Sequence, residues 1–436
     1  MTASNSEKQY NLRAYLFFWI GQMLSQLGSN IMQFVIIIWI AWEYNSSLLL
    51  ALSAVAGFAP FILITPFAGV LVDRWSRKKV IIAVDFAVAM TTTVLIFLFW
   101  IKLDQFWLLI AILVLGAIRA VFQAFHMPAT EAIVPLLVPP EKLSRLNGWT
   151  WLVWGLIGII GAPVAVFLLL YFEIYEVLLV DPLTFLIALI PALIIKIPSV
   201  KDDQAVKEKV SFKTEFAEGL GFIKERRGLL SLLSVFTAVN FFSQPFVILL
   251  PLFVSQVLSK GKTELAILIA VQNIGALAGS ILMSTWKGFK RNVVGVVFGI
   301  LVSWIAWLIV IFTPPADANA LVIIALALLI SGFTLPITNV SSQTIWQQVV
   351  PPDKMGRVMS VRTTIAWFVI PFGMLFSGIL AEIMGIVQLF FVSAVLGVAC
   401  LAYSWFMTGL PDVERVLLPT EAEIPAVQPS IIATET

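Results

Sequence analysis

The sequence predicts an all-α integral membrane protein of twelve transmembrane helices, arranged as two pseudo-symmetric six-helix bundles. Three observations predict it. Of 436 residues, 60% are hydrophobic and only 12% are charged, about half the charged share of a soluble domain, too few to make a polar surface. The apolar residues fall in blocks of about 20, the length that crosses a ~30 Å hydrocarbon core as helix. The second half of the chain also repeats features of the first at a nearly constant offset. Backbone groups in lipid must be satisfied within their own segment, so the blocks are helices. The sequence shows none of the short alternating segments of a membrane barrel.

In chain order the spans fall at 13–41, 48–72, 80–101, 107–125, 147–171, 177–197, 228–258, 263–285, 292–313, 320–340, 358–383 and 387–410. The polar start (Met1 to Asn11) precedes an apolar block too long for a signal-peptide core, so no cleaved leader is expected. The chain divides into a first bundle (1–197), a linker (198–227), a second bundle (228–410) and a tail (411–436) expected to be flexible. Within the linker, Phe212 to Ile223 has apolar residues at helical spacing; it reads either as a surface helix or as a solvated linker with a short amphipathic stretch. The single cysteine, Cys400, lies inside a span, which excludes a disulfide framework and a cysteine metal site.

Basic residues set the orientation. With the N-terminus inside, cytoplasmic loops and tails carry 23 of the 27 Lys and Arg, and outer loops carry three (Lys102, Lys260, Lys262). Such a bias places both termini in the cytoplasm. The net charge of +2 is therefore a topology signal and gives no reason to expect nucleic acid.

The repeat is visible residue by residue. Val138-Pro-Pro-Glu-Lys-Leu-Ser-Arg145 follows span four, and Val350-Pro-Pro-Asp-Lys-Met-Gly-Arg357 follows span ten. Gly161-Ala-Pro163 in span five finds Pro371-Phe-Gly373 in span eleven, and Gly69 finds Gly279. The order of spans is the same in both halves, so the repeats are parallel, an arrangement of transporters with the solute site between the halves.

Gly69-Val-Leu-Val-Asp73-Arg74-Trp-Ser-Arg77-Lys78-Lys79, between spans two and three, resembles the signature G-x-L-x-D-R-x-G-R-K/R of the major facilitator superfamily, with Ser76 in place of a glycine. Phe125-His-Met-Pro128-Ala129 with Val134-Pro-Leu-Leu-Val138 is similar to its macrolide-efflux and siderophore-export branch. The resemblance implies that the acid Asp73 latches the halves near the start of span eleven. On its own chemistry, Asp73 is placed to accept from Arg77 or to face a helix N-terminus. The second half has Met283 at the equivalent position, so any such latch is one-sided.

Arg119 lies inside span four, where an arginine costs ~2.5–3.5 kcal/mol and must find a partner. Asp73, Asp85 and Glu131 are the candidates. The resemblance matches Arg119 to an arginine associated with proton handling; a buried ion pair that only joins helices is the competing reading. Asp85 is the candidate titrating acid, because burial and a nearby arginine act on a carboxyl in opposite directions. Glu43 and Asp181 sit near the outer ends of spans one and six, and Glu382 near that of span eleven. His126, the only histidine, is expected at the boundary after span four; a histidine titrates near neutral pH, but a lone histidine at an interface is more often structural.

Span one carries Gln22, Gln26, Asn30 and Gln33 on one helix face. Span seven carries Asn240 and Gln244, span eight Gln272 and Asn273, and span ten Asn339. The resemblance makes spans one, four, seven and ten line the cavity; the alternative is interhelical hydrogen bonding. With aromatic residues such as Phe34, Trp154 and Phe246 nearby, neutral donors and acceptors suit a large, amphipathic solute. Gly155-Leu-Ile-Gly158-Ile-Ile-Gly161-Ala-Pro163 resembles the span-five motif of antiporter-type exporters, although close helix packing alone would also explain it.

The expectation is a monomeric secondary transporter in a bacterial-type plasma (inner) membrane, exporting amphipathic drugs or metabolites in exchange for protons or sodium, without a cofactor. The alternatives are export of a native siderophore or lipid-like metabolite, lysolipid flipping, or a non-transporting receptor. The sequence offers no nucleophile–base set, metal cluster or phosphate-binding loop for an enzyme, and no room for an ATPase domain.

Overall fold

The computed structural model describes residues 11–195 and 212–414; within them, some side chains, those of Asp73, Arg74, Arg145 and Trp151 among them, are outside the described set. The readings for the N-terminal segment, most of the linker and the tail after 414 also lie outside the described residues. Among the described residues, twelve helices are long and apolar enough to cross a membrane. Spans one to six are Leu12–Tyr44, Ser47–Gly69, Arg77–Trp100, Gln105–Val134, Glu141–Leu169 and Ile174–Ile194. Spans seven to twelve are Arg227–Val257, Lys262–Thr285, Asn292–Phe312, Ala320–Val349, Met355–Met384 and Ile386–Met407.

Two helices run well past their expected ends. Span four belongs to a helix Gln105–Leu137 and span ten to Ala320–Val349, where the sequence placed ends at 125 and 340. Polar residues after those positions read as loop, yet the helices stop only at the repeated Val-Pro-Pro. Val138 (φ −112°, ψ 127°) and Val350 (φ −92°, ψ 124°) are extended, as a residue before proline must be. His126 and Glu131 are therefore helical and not at a boundary.

Three spans are interrupted. Span seven breaks at Ser243, just before Pro245, and ends in a π-turn over Phe253–Val257. Span eleven breaks at Val369, before Pro371. In both, proline opens the second segment, where its missing N–H leaves no bond unmade. Span six opens with a separate short helix, Ile174–Leu178, and continues as Val180–Ile194.

The helix pairings repeat between halves. Span one packs on five and six, two on four, and three on four and six; span seven packs on eleven and twelve, eight on ten, and nine on ten and twelve. Across the middle, span two lies along eleven and span five along eight, two contacts that the repeat exchanges. Among the described residues, four side-chain hydrogen bonds that join the halves gather at the end that carries Asn45, and one, from Asn273 to Gly158, lies between spans eight and five. At the Asn45 end the Glu382 carboxylate accepts from Ser46 Oγ (2.8 Å) and Leu48 N (3.2 Å), capping span two from span eleven. Gln256 Nε2 donates to Asn45 O (3.1 Å) and Oδ1 (2.9 Å).

An aromatic core fills the second half. The ring centroid of the fully buried Phe246 lies 4.4 Å from Trp307 and 4.8 Å from Phe390. Phe246 is thus core and not a cavity wall, in a segment of span seven, Gln244–Leu252, that is buried almost throughout. The linker residues form a helix, Phe212–Glu225, docked on the start of span eleven. Gly219 sits against the Arg357 carbonyl, and Glu218 pairs with Arg357 at 2.5 Å.

Candidate coupling and solute site

Arg119 finds its carboxylate on span six. Its two terminal nitrogens reach Asp181 Oδ2 at 2.9 Å and Oδ1 at 3.3 Å. The same nitrogens donate to Thr92 Oγ1 (2.7 Å) and Ser29 Oγ (2.8 Å), and both hydroxyls donate onward to Asp181, at 2.5 and 2.6 Å. Four helices thereby meet at one ion pair, with every hydrogen bond charge-assisted. Gly28 permits it: a β-carbon there would fall 2.0 Å from Thr184 Oγ1, so spans one and six touch beside Ser29. Of the expected partners, Asp85 and Glu131 are not those of Arg119; the side chain of Asp73 lies outside the described set. Asp181, placed by the sequence near an exposed outer end, is 2% exposed because the short helix Ile174–Leu178 precedes it. Glu131 is exposed.

Asp85 belongs to a second network. Its Oδ2 accepts from Gln22 Nε2 at 3.0 Å, and its Oδ1 lies 3.1 Å from His126 Nε2. His126 Nε2 also lies 3.0 Å from Gln22 Oε1. The expectation of a boundary histidine is thereby corrected: it faces spans one and three inside the bundle.

The two networks are stacked. Gln22 and Ser29, Asp85 and Thr92, and His126 and Arg119 are each seven residues apart, two helical turns or ~10 Å along three neighbouring helices. Between them lies a cavity of about 20 Å³, lined by Gln26, Gln123, Ala89 and Phe185 among others and touching His126, Asp85 and Asp181. That is room for about one water molecule among several polar partners.

The loop motif braces this half. Arg77 donates to the Ala132 carbonyl of span four (2.9 Å). Lys78 Nζ donates to the Leu193 and Ile195 carbonyls at the end of span six (2.6 and 2.7 Å), a cation at a helix C-terminus. The readings of Asp73 and Arg74 lie outside the described side chains.

The remaining polar residues divide. Asn30 and Asn273 sit on the glycines of span five: Asn30 Oδ1 would lie 2.1 Å from a β-carbon at Gly161, and Asn273 Nδ2 donates to the Gly158 carbonyl (3.1 Å). Asn240 donates to the Ala366 carbonyl of span eleven (2.8 Å), and the buried Gln244 to its own helix at Asn240 O (2.8 Å). These four are spent on backbone carbonyls and helix contacts, not turned to open space. Gln26 and Gln272 are partly exposed, while Gln33, Asn339 and Trp154 are exposed. Arg362, which the charge pattern groups with the basic loop residues, lies inside span eleven. Its guanidinium donates to Gln343 Oε1 (2.5 Å) and lies 5.4 Å from the Trp346 ring.

Residues 18–371 match the sequence profile of the Major Facilitator Superfamily. The chain belongs to that superfamily. It is similar to macrolide efflux protein A of Streptococcus pyogenes, 28% identical over 385 residues that cover 88% of this chain and 93% of the relative. Macrolide efflux protein A of Enterococcus faecalis is also 28% identical, over 76% of this chain and 100% of the relative. Among solved structures, a bacterial homologue of the iron transporter ferroportin in its inward-facing state superposes with a TM-score of 0.68 at 15% identity, covering 91% of this chain and 99% of that one. This superfamily member is therefore a multi-pass membrane transporter of small solutes with the major facilitator fold.

Proposed function

We propose that the transporter exports amphipathic drugs or metabolites of the macrolide type by antiport with protons. The two bundles, 1–197 and 228–410, would alternate about a solute site between them. The observation that carries this reading is the Arg119–Asp181 pair, buried where four helices of one half meet. A charge pair that deep carries a desolvation cost that apolar packing would avoid, which marks it as a candidate for function. The macrolide class comes from the streptococcal and enterococcal relatives.

By the charge bias of its loops, the Arg77 end faces the cytoplasm of a bacterial-type plasma (inner) membrane, with both termini inside. The Asn45 end, where the halves are bonded together, is then the outer end, and this form takes solute from the cytoplasm. Arg119, Asp181 and Asp85 carry coupling in the first half, and Asp73, Arg74 and Arg77 the movement of the halves. Gln26, Gln33, Trp154, Gln272, Asn339 and Arg362 face the solute. Protonation and solute binding favour different states, and their difference in affinity is the coupling. The protein works as a monomer.

In a macrolide-susceptible bacterium lacking its own exporters, expression of the chain should lower cellular erythromycin accumulation and raise tolerance, and a protonophore should reverse both. Equal accumulation with and without the protein, at verified expression, would overturn the proposal.

A further inference from the structure

We infer that His126 is the group that binds and releases the transported proton, with Asp85 as its counter-charge. The inference rests on the proton-antiport reading and adds the group that carries the proton.

Hydrogen-bond logic fixes the imidazole. An ionised Asp85 can only accept, so the Gln22 amide nitrogen must face Asp85 Oδ2 and its oxygen must face His126. His126 Nε2 then has two acceptors, Asp85 Oδ1 and Gln22 Oε1, and carries its hydrogen whether the ring is neutral or charged. Nδ1 is the nitrogen left to take up a proton. Imidazole is the side chain that titrates near neutral pH in ordinary surroundings. Asp181 offers no such vacancy, since its four acceptor positions meet two Arg119 nitrogens, Ser29 and Thr92.

Access points the same way. The side chains of His126 and Asp85 are 15% and 12% exposed, against 3% for Asp181. The histidine also lies two turns nearer the Arg77 end than Arg119. Among the described residues, the charged groups around the ring are Asp85 from span three and, across the small cavity, Asp181 from span six. Arg119 lies two turns away on the same helix, and the charged side chains of span two, Asp73 and Arg74, lie outside the described set. Span one contributes the neutral Gln22.

The step balances simply. The imidazolium gives its Nδ1 proton to water, leaving a neutral ring that still donates Nε2–H to Asp85. The pair changes from neutral to a net charge of −1. A solute bearing an ammonium group is favoured by that charge, and a returning proton removes it, so proton and solute compete.

The chain has a single histidine, so nitrogen-labelled histidine in protein purified with a histidine-free tag gives one imidazole signal. The expected result is a titration of Nδ1 as the pH is varied over the range in which the protein stays folded. Saturating erythromycin should move the midpoint down by about one pH unit, the roughly tenfold coupling of linked sites. Asp85→Asn should lower it further by removing the counter-charge. A flat signal over that range, or a midpoint that erythromycin leaves in place, overturns the inference while pH-driven efflux by the unmodified protein keeps the antiport reading standing. Efflux that ignores a pH gradient defeats both.

Discussion

Arg119→Ala is expected to reduce pH-driven efflux to the level of empty vesicles and to lower the melting temperature of the detergent-extracted protein sharply. The substitution removes two of the four donors around Asp181 and leaves a carboxylate that is 2% exposed without a counter-charge. Breaking a buried pair from one side costs about 3–5 kcal/mol, because the surviving charge is neither solvated nor matched. Asp181→Asn in the same background removes that charge, and the double variant should recover most of the lost thermal stability. It should not recover pH-driven efflux. Recovery of both would reduce the pair to a clamp between helices, the competing reading of Arg119 that the sequence left open.

The second large effect concerns the joined outer end. Gln256 of span seven bonds to Asn45 at the end of span one, beside the Glu382 cap on span two. If transport requires these contacts to part, fixing them must stop it. In a Cys400→Ser background, Asn45→Cys with Gln256→Cys joined by a short thiol cross-linker should lose solute efflux entirely, and a cleavable linker should restore it on reduction. Either single cysteine treated with the same reagent should remain active. Full transport by the cross-linked protein would show that the halves do not separate there.

The fold was legible because its causes are local. Span lengths follow from the thickness of hydrocarbon, and the repeated Val-Pro-Pro stops spans four and ten by a steric rule acting on Val138 and Val350. The site was legible only in part. That Arg119 needs a partner follows from the cost of its charge; that the partner is Asp181 depends on the break at Leu179, which no apolar count reveals. The seven-residue interval shared by Gln22 and Ser29, Asp85 and Thr92, and His126 and Arg119 is present in the sequence. It gains meaning only once spans one, three and four are known to be neighbours. The stripe on span one failed as a single feature for the same reason. Its residues lie on one face, yet Gln22 meets Asp85, Gln26 a small cavity, Asn30 the glycine at 161, and Gln33 open surface.

The most direct test of proton-driven export uses inside-out vesicles, whose lumen corresponds to the cell exterior. Acidifying the lumen makes protons run from lumen to bath, so an antiporter must carry erythromycin from bath to lumen. The account predicts accumulation that scales with the pH gradient, collapses with a protonophore and is indifferent to sodium. Accumulation that persists without the gradient, or that follows sodium instead, would contradict it.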